Sequence, residues 1–265
     1  MIISIPTRGR ISKQVTLKWI PPAIHNQVLL VCPRDEVFFH KKNWPSVQVV
    51  AQPDEITTIA KKRAWMLHFM HDEGVTKTLM MDDDLLFYSR REEQPDRLKY
   101  ALPEETIHWF AELEKRLTPD TPHGGFGPRQ GNHTQPAGWL QGTRMMLALG
   151  YHIPTVLANA EHGRINTRED MDVCLQLLRK GLPNQVTHEF VVGQGAYAER
   201  GGCEDERTLE SSNADAEKLA ELHPGLVRVV EKEYKNHPRK EVVCSWKGAL
   251  REGAQWRAAH SGNTG

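Results

Sequence analysis

Short apolar runs separated by polar or helical stretches organise the first third of the chain. Ile2 to Pro6 is one such run, closed by Thr7-Arg8-Gly9-Arg10; Val28-Leu29-Leu30-Val31 is a second, closed by Pro33; Val47 to Val50 is a third. Runs this short, bounded by turn residues, predict strands. Between the third and the fourth, Ile56, Ile59, Ala60, Ala64, Leu67 and Met70 recur at helical spacing, which predicts an amphipathic helix over Glu55 to His71, stopped by Gly74. Thr78 to Met81 then forms a fourth strand whose carboxyl end carries Asp82-Asp83-Asp84. Strands alternating with helices predict an α/β domain with a mixed, mainly parallel central sheet flanked by helices.

Periodicity disappears from Thr118 to Gly142, a stretch rich in Gly, Pro, His and Gln. A long unpatterned segment inside a compact domain reads as a functional loop, here one able to close over a ligand. Its His123-Gly124-Gly125-Phe126-Gly127 core lacks dinucleotide or Walker spacing. Helical order resumes at Thr167, an N-cap candidate, with Met171, Cys174, Leu175 and Leu178 on one face and Gly181-Leu182-Pro183 as the stop. A strand over Val186 to Val192, a Gly201-Gly202 turn and a helix ending at Pro224 follow. Residues 1–250 read as one domain and 251–265 as a flexible tail.

Bulk properties narrow the class. A chain of 265 residues can bury roughly 75% of its unfolded surface without covalent staples. The four cysteines are scattered, which excludes a zinc ribbon and reads as reduced thiols in a cytoplasmic protein. No apolar stretch is long enough to cross a bilayer, so no membrane partner is expected. Lys plus Arg and Asp plus Glu are equal at 34 each, so net charge does not advertise a polyanion; only the region after Val227 is locally basic.

Three adjacent carboxylates repel one another unless a cation sits among them. In a continuing strand Asp82 and Asp84 share a side and Asp83 faces away, which suits Mg²⁺ or Mn²⁺ held against a diphosphate at the carboxyl edge of the sheet. The other reading is a solvated acidic loop. Arg63, within the apolar stripe of its helix, either anchors a sheet aspartate or grips a phosphate. Thr7, Arg8 and Arg10 after the first strand are donor contacts or a surface turn. Glu169 and Asp170 either complement the helix dipole, with Thr167 and Asp170 as a capping box, or supply the general base. His188 is a third metal ligand or a packed histidine.

In combination, the strand followed by Thr7-Arg8-Gly9-Arg10, the helix with Arg63, the DDDL run, the glycine-rich stretch, the Arg168-Glu169-Asp170 triplet and a downstream histidine resemble a GT-A glycosyltransferase from Met1 to about Trp246. Ile5 to Arg10, Ile59 to Arg63, the DDDL run, Gly201-Gly202 and Cys244-Ser245-Trp246-Lys247 are similar, more narrowly, to the phage TET/JBP-associated glycosyltransferases. That resemblance implies a single Rossmann-like domain, a nucleotide-sugar donor (a UDP-sugar first), Mn²⁺ or Mg²⁺, and DNA carrying hydroxymethylated pyrimidines as acceptor. Asp82, Asp83, Thr7, Arg8, Arg10 and Arg63 would then bind the donor. Asp82, Asp84 and His188 would hold the metal, with Asp170 or Glu169 as base. Phosphate contacts would come from Arg90, Arg91, Lys235, Arg239 and Lys240. Rival readings are the same chemistry on a glycan or small molecule, a nucleotidyltransferase, and a non-catalytic nucleic-acid-binding module.

Overall fold

A computed structural model describes residues 1–132, 135–194, 208–234 and 237–260. The chain runs β1 (Ile2–Pro6), α1 (Val15–Trp19), β2 (Val28–Cys32), α2 (Val37–Asn43), β3 (Gln48–Ala51), α3 (Ile59–Asp72) and β4 (Lys77–Met81). After these come β5 (Leu85–Arg90), β6 (Leu98–Tyr100), α4 (Pro103–Arg116), β7 (His123–Pro128), β8 (Trp139–Leu140), β9 (Ala148–His152), α5 (Ile153–Asn159) and α6 (Glu169–Arg179). The last third holds β10 (Asn184–Gln194), α7 (Leu209–Leu222), the β11 (Val227–Tyr234) and β12 (His237–Cys244) hairpin, and α8 (Trp246–His260). The main sheet has the order β3-β2-β1-β4-β9-β7-β10-β5-β6, with β8 beside β10. Its first four strands are mutually parallel, and antiparallel partners enter from β9 onward. The mixed, largely parallel α/β sheet predicted from the sequence is therefore present.

Apolar clusters cover both faces. On one, Met66, Leu67 and Met70 of α3 pack with Cys174, Leu175 and Leu178 of α6 and with Val156 of α5. On the other, Leu17 of α1 and Phe110 and Leu113 of α4 pack on Ile3, Ile5, Phe87, Phe126 and Phe190. Helix α3 starts four residues later than periodicity suggests, because the Thr58 side chain accepts from the Lys61 amide and caps it there.

Two segments depart from the sequence reading. The glycine-rich His123–Pro128 stretch is not a loop but the strand β7, between β9 and β10. Its glycines permit close approach: a Cβ on Gly125 would collide with the Ala148 carbonyl oxygen, and one on Gly127 would collide with the His188 ring. Residues 251–260, expected to be a flexible tail, continue α8, which crosses the end of α6 where a Cβ on Gly253 would meet the Leu178 carbonyl oxygen. Among the described residues no helix is long and apolar enough to cross a membrane.

His123 of β7 is fully buried, with Nε2 3.0 Å from the Leu182 carbonyl oxygen, and burial pushes its pKa down to about 4. The unfolded chain takes up a proton near pH 6.5 and the native state does not, so stability falls as pH drops from 6.5 toward 4. One such histidine costs about 2 kcal/mol between pH 7 and pH 5. His162, also held down by burial to about 4, acts in the same direction. Urea midpoints should drop over this interval, and the drop should be shallower in His123→Gln; equal slopes in the two proteins would refute the assignment.

Candidate active site

The site lies at the carboxyl ends of β1 and β4, where side chains leaving a parallel sheet converge. Strand β4 stops at Met81, so Asp82, Asp83 and Asp84 form the turn into β5 instead of continuing the strand alternation. Three groups brace that turn. The Asp83 carbonyl accepts from the amides of Val15 and Thr16 at the start of α1, each at 3.1 Å. The Thr16 hydroxyl donates to the Asp82 carbonyl and accepts from the Leu85 amide at 2.8 Å. The Asp82 amide donates to the Leu147 carbonyl at 3.0 Å.

Each aspartate takes a different partner. Asp83 turns inward, accepting from the Thr7 hydroxyl at 2.6 Å and from Arg10. Burial pushes the Asp83 carboxyl up to about 6, against the pull of Thr7 and Arg10. Asp84 stands 3.2 Å from the same Arg10 guanidinium, and its Oδ1 is buried without a hydrogen-bond partner. Asp82 pairs instead with Arg63, whose other guanidinium nitrogen binds Glu169 at the start of α6. Arg63 thereby joins the aspartate turn to the α6 terminus, and Asp82 and Glu169 keep it charged despite its burial. Both alternatives read for Arg63 in the sequence concerned a negative partner; the observed partners are carboxylates.

The α6 terminus is not the expected capping box. Arg168 is its N-cap residue, in the left-handed region at φ 66°, with no side-chain cap. Thr167 instead bonds through its amide and hydroxyl to Asp215 at 2.7 and 2.9 Å. A left-handed non-glycine residue is strained unless its surroundings hold it. Arg168 is held by the Ser212 and Lys240 carbonyls, at 2.8 and 3.2 Å. Asp170 accepts from the following Met171 amide at 2.9 Å, and burial raises its pKa, opposed by Arg63 and Arg144.

A cleft of about 540 Å³ lies beside Arg8, lined also by Pro33, Asp35, Gln52, Asp54 and Thr57 from the segments that follow β2 and β3. The loop that carries Arg8 and Arg10 is fixed from behind. Lys62 of α3 donates to the Thr7 carbonyl at 2.8 Å, and Glu36 accepts from the Gly9 amide at 2.8 Å. Gln14 donates to the Thr7 hydroxyl at 2.7 Å. Sequence reasoning missed Gln14, Thr16, Glu36 and Lys62, because a polar residue that braces a loop across the fold leaves no local pattern.

Other expected residues lie elsewhere. On β10, Gln194 pairs with Leu85 beside the aspartates, whereas His188 lies six residues earlier, roughly 20 Å along the strand. His188 Nδ1 is 3.1 Å from Asn132 Oδ1, and its ring fills the space above Gly127, so its place is in the packing and not with Asp82 and Asp84. Arg90 spends its guanidinium on the carbonyls of His188, Pro95, Asn132 and Gln135 and acts as a loop staple. Arg239 pairs with Glu241 at 2.8 Å and Lys240 with Glu217, which offsets their charge locally. Arg91 is exposed. Lys235, Gly201, Gly202 and Cys203 lie outside the described residues.

Comparison with known proteins identifies the family and the fold. The family model described as TET-Associated Glycosyltransferase matches residues 1–202. Among solved structures, the fold is similar to a mannosyltransferase from Pyrobaculum calidifontis in complex with GDP-mannose and Mn²⁺, at 11% identity and TM-score 0.53, covering 100% of this chain and 75% of that one. A mannose-1-phosphate geranyltransferase from Thermus thermophilus aligns more loosely, at 11% identity and TM-score 0.39, over 98% of this chain and 99% of that one. A search of curated proteins returns no match. With a GT-A sheet and a family match over most of its length, the chain belongs to the TET-associated glycosyltransferase family and is a glycosyltransferase.

Proposed function

We propose that the protein transfers a sugar from a nucleotide-sugar, a UDP-sugar first, to the hydroxyl of a 5-hydroxymethylpyrimidine in DNA. The observation that carries the donor half is a cleft of about 540 Å³ lined by Arg8, with Arg10, two residues further along the same loop, paired to Asp83 and Asp84 of the aspartate turn. In this reading the nucleoside occupies that cleft, and Arg8 and Arg10 face the diphosphate as charge-assisted donors. Thr7 and Asp83 set the position of Arg10. The acceptor half rests on membership of the TET-associated glycosyltransferase family, together with the sequence resemblance to phage enzymes that implies hydroxymethylated pyrimidines in DNA as acceptor. Such an enzyme acts in the cytoplasm, where the DNA of an infecting phage is modified.

Mg²⁺ or Mn²⁺ fits the residues at the turn. The donors are hard carboxylate oxygens, and Asp84 Oδ1 is buried without a partner. Among the described residues no group of three His, Cys, Asp or Glu side chains could hold a metal alone. A diphosphate-bound Mg²⁺ needs only one or two protein carboxylates, the remaining ligands being phosphate oxygens and water. Asp84 and Asp82 would hold it, and when bound it would offset negative charge on the departing nucleoside diphosphate. Asp170 is the proposed base that accepts the acceptor's proton, since a carboxylate raised by burial takes a proton more readily near neutral pH. Glu169, tied to Arg63, orients the α6 terminus against the turn.

A panel of UDP-, GDP-, CDP- and ADP-sugars, each with and without Mn²⁺ or Mg²⁺, tests the donor half through thermal unfolding, because a ligand of the native state raises the midpoint. A metal-dependent rise for one nucleotide series is expected, and a flat panel would refute the donor site. The acceptor half is read by incubating the matching sugar with duplexes containing cytosine, 5-hydroxymethylcytosine or 5-hydroxymethyluracil and weighing the digested nucleosides. A hexose or pentose increment on a hydroxymethylated base is expected. Transfer to glycans and never to DNA would leave the glycosyltransferase and remove the DNA acceptor.

A further inference from the structure

Among the described residues, only Leu147 and Arg168 are non-glycine residues in the left-handed region, both at φ 66°. Both lie at the site. The Leu147 carbonyl accepts from the Asp82 amide, and the Arg168 carbonyl accepts from the Met171 and Asp172 amides at 3.0 and 3.2 Å, opening α6. Glu169 and Asp170 are the first two residues of that helix, so the Arg168 dihedrals set the direction in which they leave the backbone.

Glycine enters this region freely, whereas arginine is strained there. Burial of the guanidinium is a second cost: the side chain is 9% exposed, and burial lowers its pKa against the pull of Glu241. The contacts that offset both costs come from α7 and β12. One guanidinium nitrogen donates to the Ser212 carbonyl at 2.8 Å and the other to the Lys240 carbonyl at 3.2 Å, with the Glu241 carboxylate 3.6 Å away. Flanking residues are tied to α7 and its end as well, Thr167 to Asp215 and Asp172 to His223 at 2.7 Å. Glu169 is tied separately, through Arg63, to Asp82. Leu175 and Leu178 of α6 and Leu219 of α7 already share one apolar cluster, so joining the two helices does not require a strained, buried arginine.

We propose that Arg168 is a positioning residue for sugar transfer: by anchoring the left-handed turn on α7 and β12, it fixes the direction in which Asp170 leaves the start of α6. The assignment rests on the reading of Asp170 as the base and deepens it. A base must stand within hydrogen-bond reach of the acceptor hydroxyl, and a misplacement of about 1 Å costs about a hundredfold in rate.

Turnover is read as UDP released from UDP-glucose with Mn²⁺ and a duplex carrying 5-hydroxymethylcytosine. Arg168→Ala keeps the strain and loses the anchor, so kcat should fall about a hundredfold while KM for UDP-glucose and its Mn²⁺-dependent thermal protection stay as in the wild type. Arg168→Gly loses the anchor but adopts the turn freely, so its kcat should fall only about tenfold. On an Asp170→Asn background, Arg168→Ala should cost less than about threefold more, because a residue acting through the base has nothing left to position. A merely structural arginine would lower the unfolding temperature and leave the kcat of folded variants unchanged. Circular dichroism checks folding, and if Arg168→Ala does not fold, Arg168→Gly is compared with the wild type alone. Wild-type kcat in either folded variant would overturn the proposal, as would an Arg168→Gly no faster than Arg168→Ala or a full hundredfold loss on the Asp170→Asn background. Unchanged turnover in Asp170→Asn sinks instead the base reading on which the proposal stands, and a wild type that releases no UDP sinks the donor reading.

Discussion

Asp84→Ala is expected to lower sugar transfer about a thousandfold, equivalent to about 4 kcal/mol of transition-state stabilisation. The side chain is almost fully buried at the turn, its Oδ1 lacks a partner, and its other oxygen faces Arg10 and Gln194. Removing it takes away a carboxylate proposed to hold the metal while leaving Asp83 to keep Arg10 and Thr7 in place. The fold should therefore survive, and the rise in unfolding temperature that Mn²⁺ adds to nucleotide-sugar binding should vanish. Asp84→Asn keeps the shape and should lose nearly as much rate, because the amide carries no charge for a divalent ion. Asp82→Ala should also slow transfer, and it should in addition free Arg63 and loosen the α6 terminus that Arg63 ties down. Near-normal transfer by both Asp82→Ala and Asp84→Ala would overturn the metal assignment.

Asp170→Asn separates a base from a helix-terminus residue. As the base, it must lose turnover by a factor between about a hundred and ten thousand, with donor and metal affinity retained, because proton transfer happens only in the chemical step. As a terminus residue that merely accepts from Met171, it should lose about 1 kcal/mol of stability with turnover preserved. One variant measured for both quantities decides between them. The pH profile adds a second reading. Burial raises the Asp170 pKa above the usual carboxylate range, so the rate should fall as pH drops through that raised value, where the base becomes protonated. Loss of that acidic limb in Asp170→Asn supports the role, and an unchanged limb moves it to Glu169.

In the first third, β1 to β4 and α3 were legible because they depend on local periodicity, whereas the short helices α1 and α2 were not. Ile2 to Pro6, Val28 to Val31 and Thr78 to Met81 are short, mostly apolar runs of the kind that buried strands accommodate, and β1, β2 and β4 fall on them. The aspartate cluster at the end of β4 was legible for the same reason: three like charges after a buried strand need a positive partner wherever the chain goes.

Several assignments needed the folded chain. The glycine-rich His123–Pro128 segment carries no strand signal of its own, since its glycines are selected by the backbone of β9 and side chains of β10 pressing against them. Gly253, in the stretch expected to be a tail, instead lies in α8 where a Cβ would meet the Leu178 carbonyl of α6. His188 stands downstream in sequence as a metal ligand would, yet the antiparallel pairing of β5 with β10 carries it away from the aspartates. Pairing of Arg63 with both Asp82 and Glu169, and of Arg10 with Asp83 and Asp84, joins residues up to 106 positions apart. In the first third, local sequence thus determined where β1 to β4 and α3 form and where the acidic turn falls, because backbone propensity and side-chain alternation act over a few residues. Which carboxylate meets which guanidinium was decided by the tertiary structure alone, because Coulomb energy depends on distance in space and not on separation along the chain.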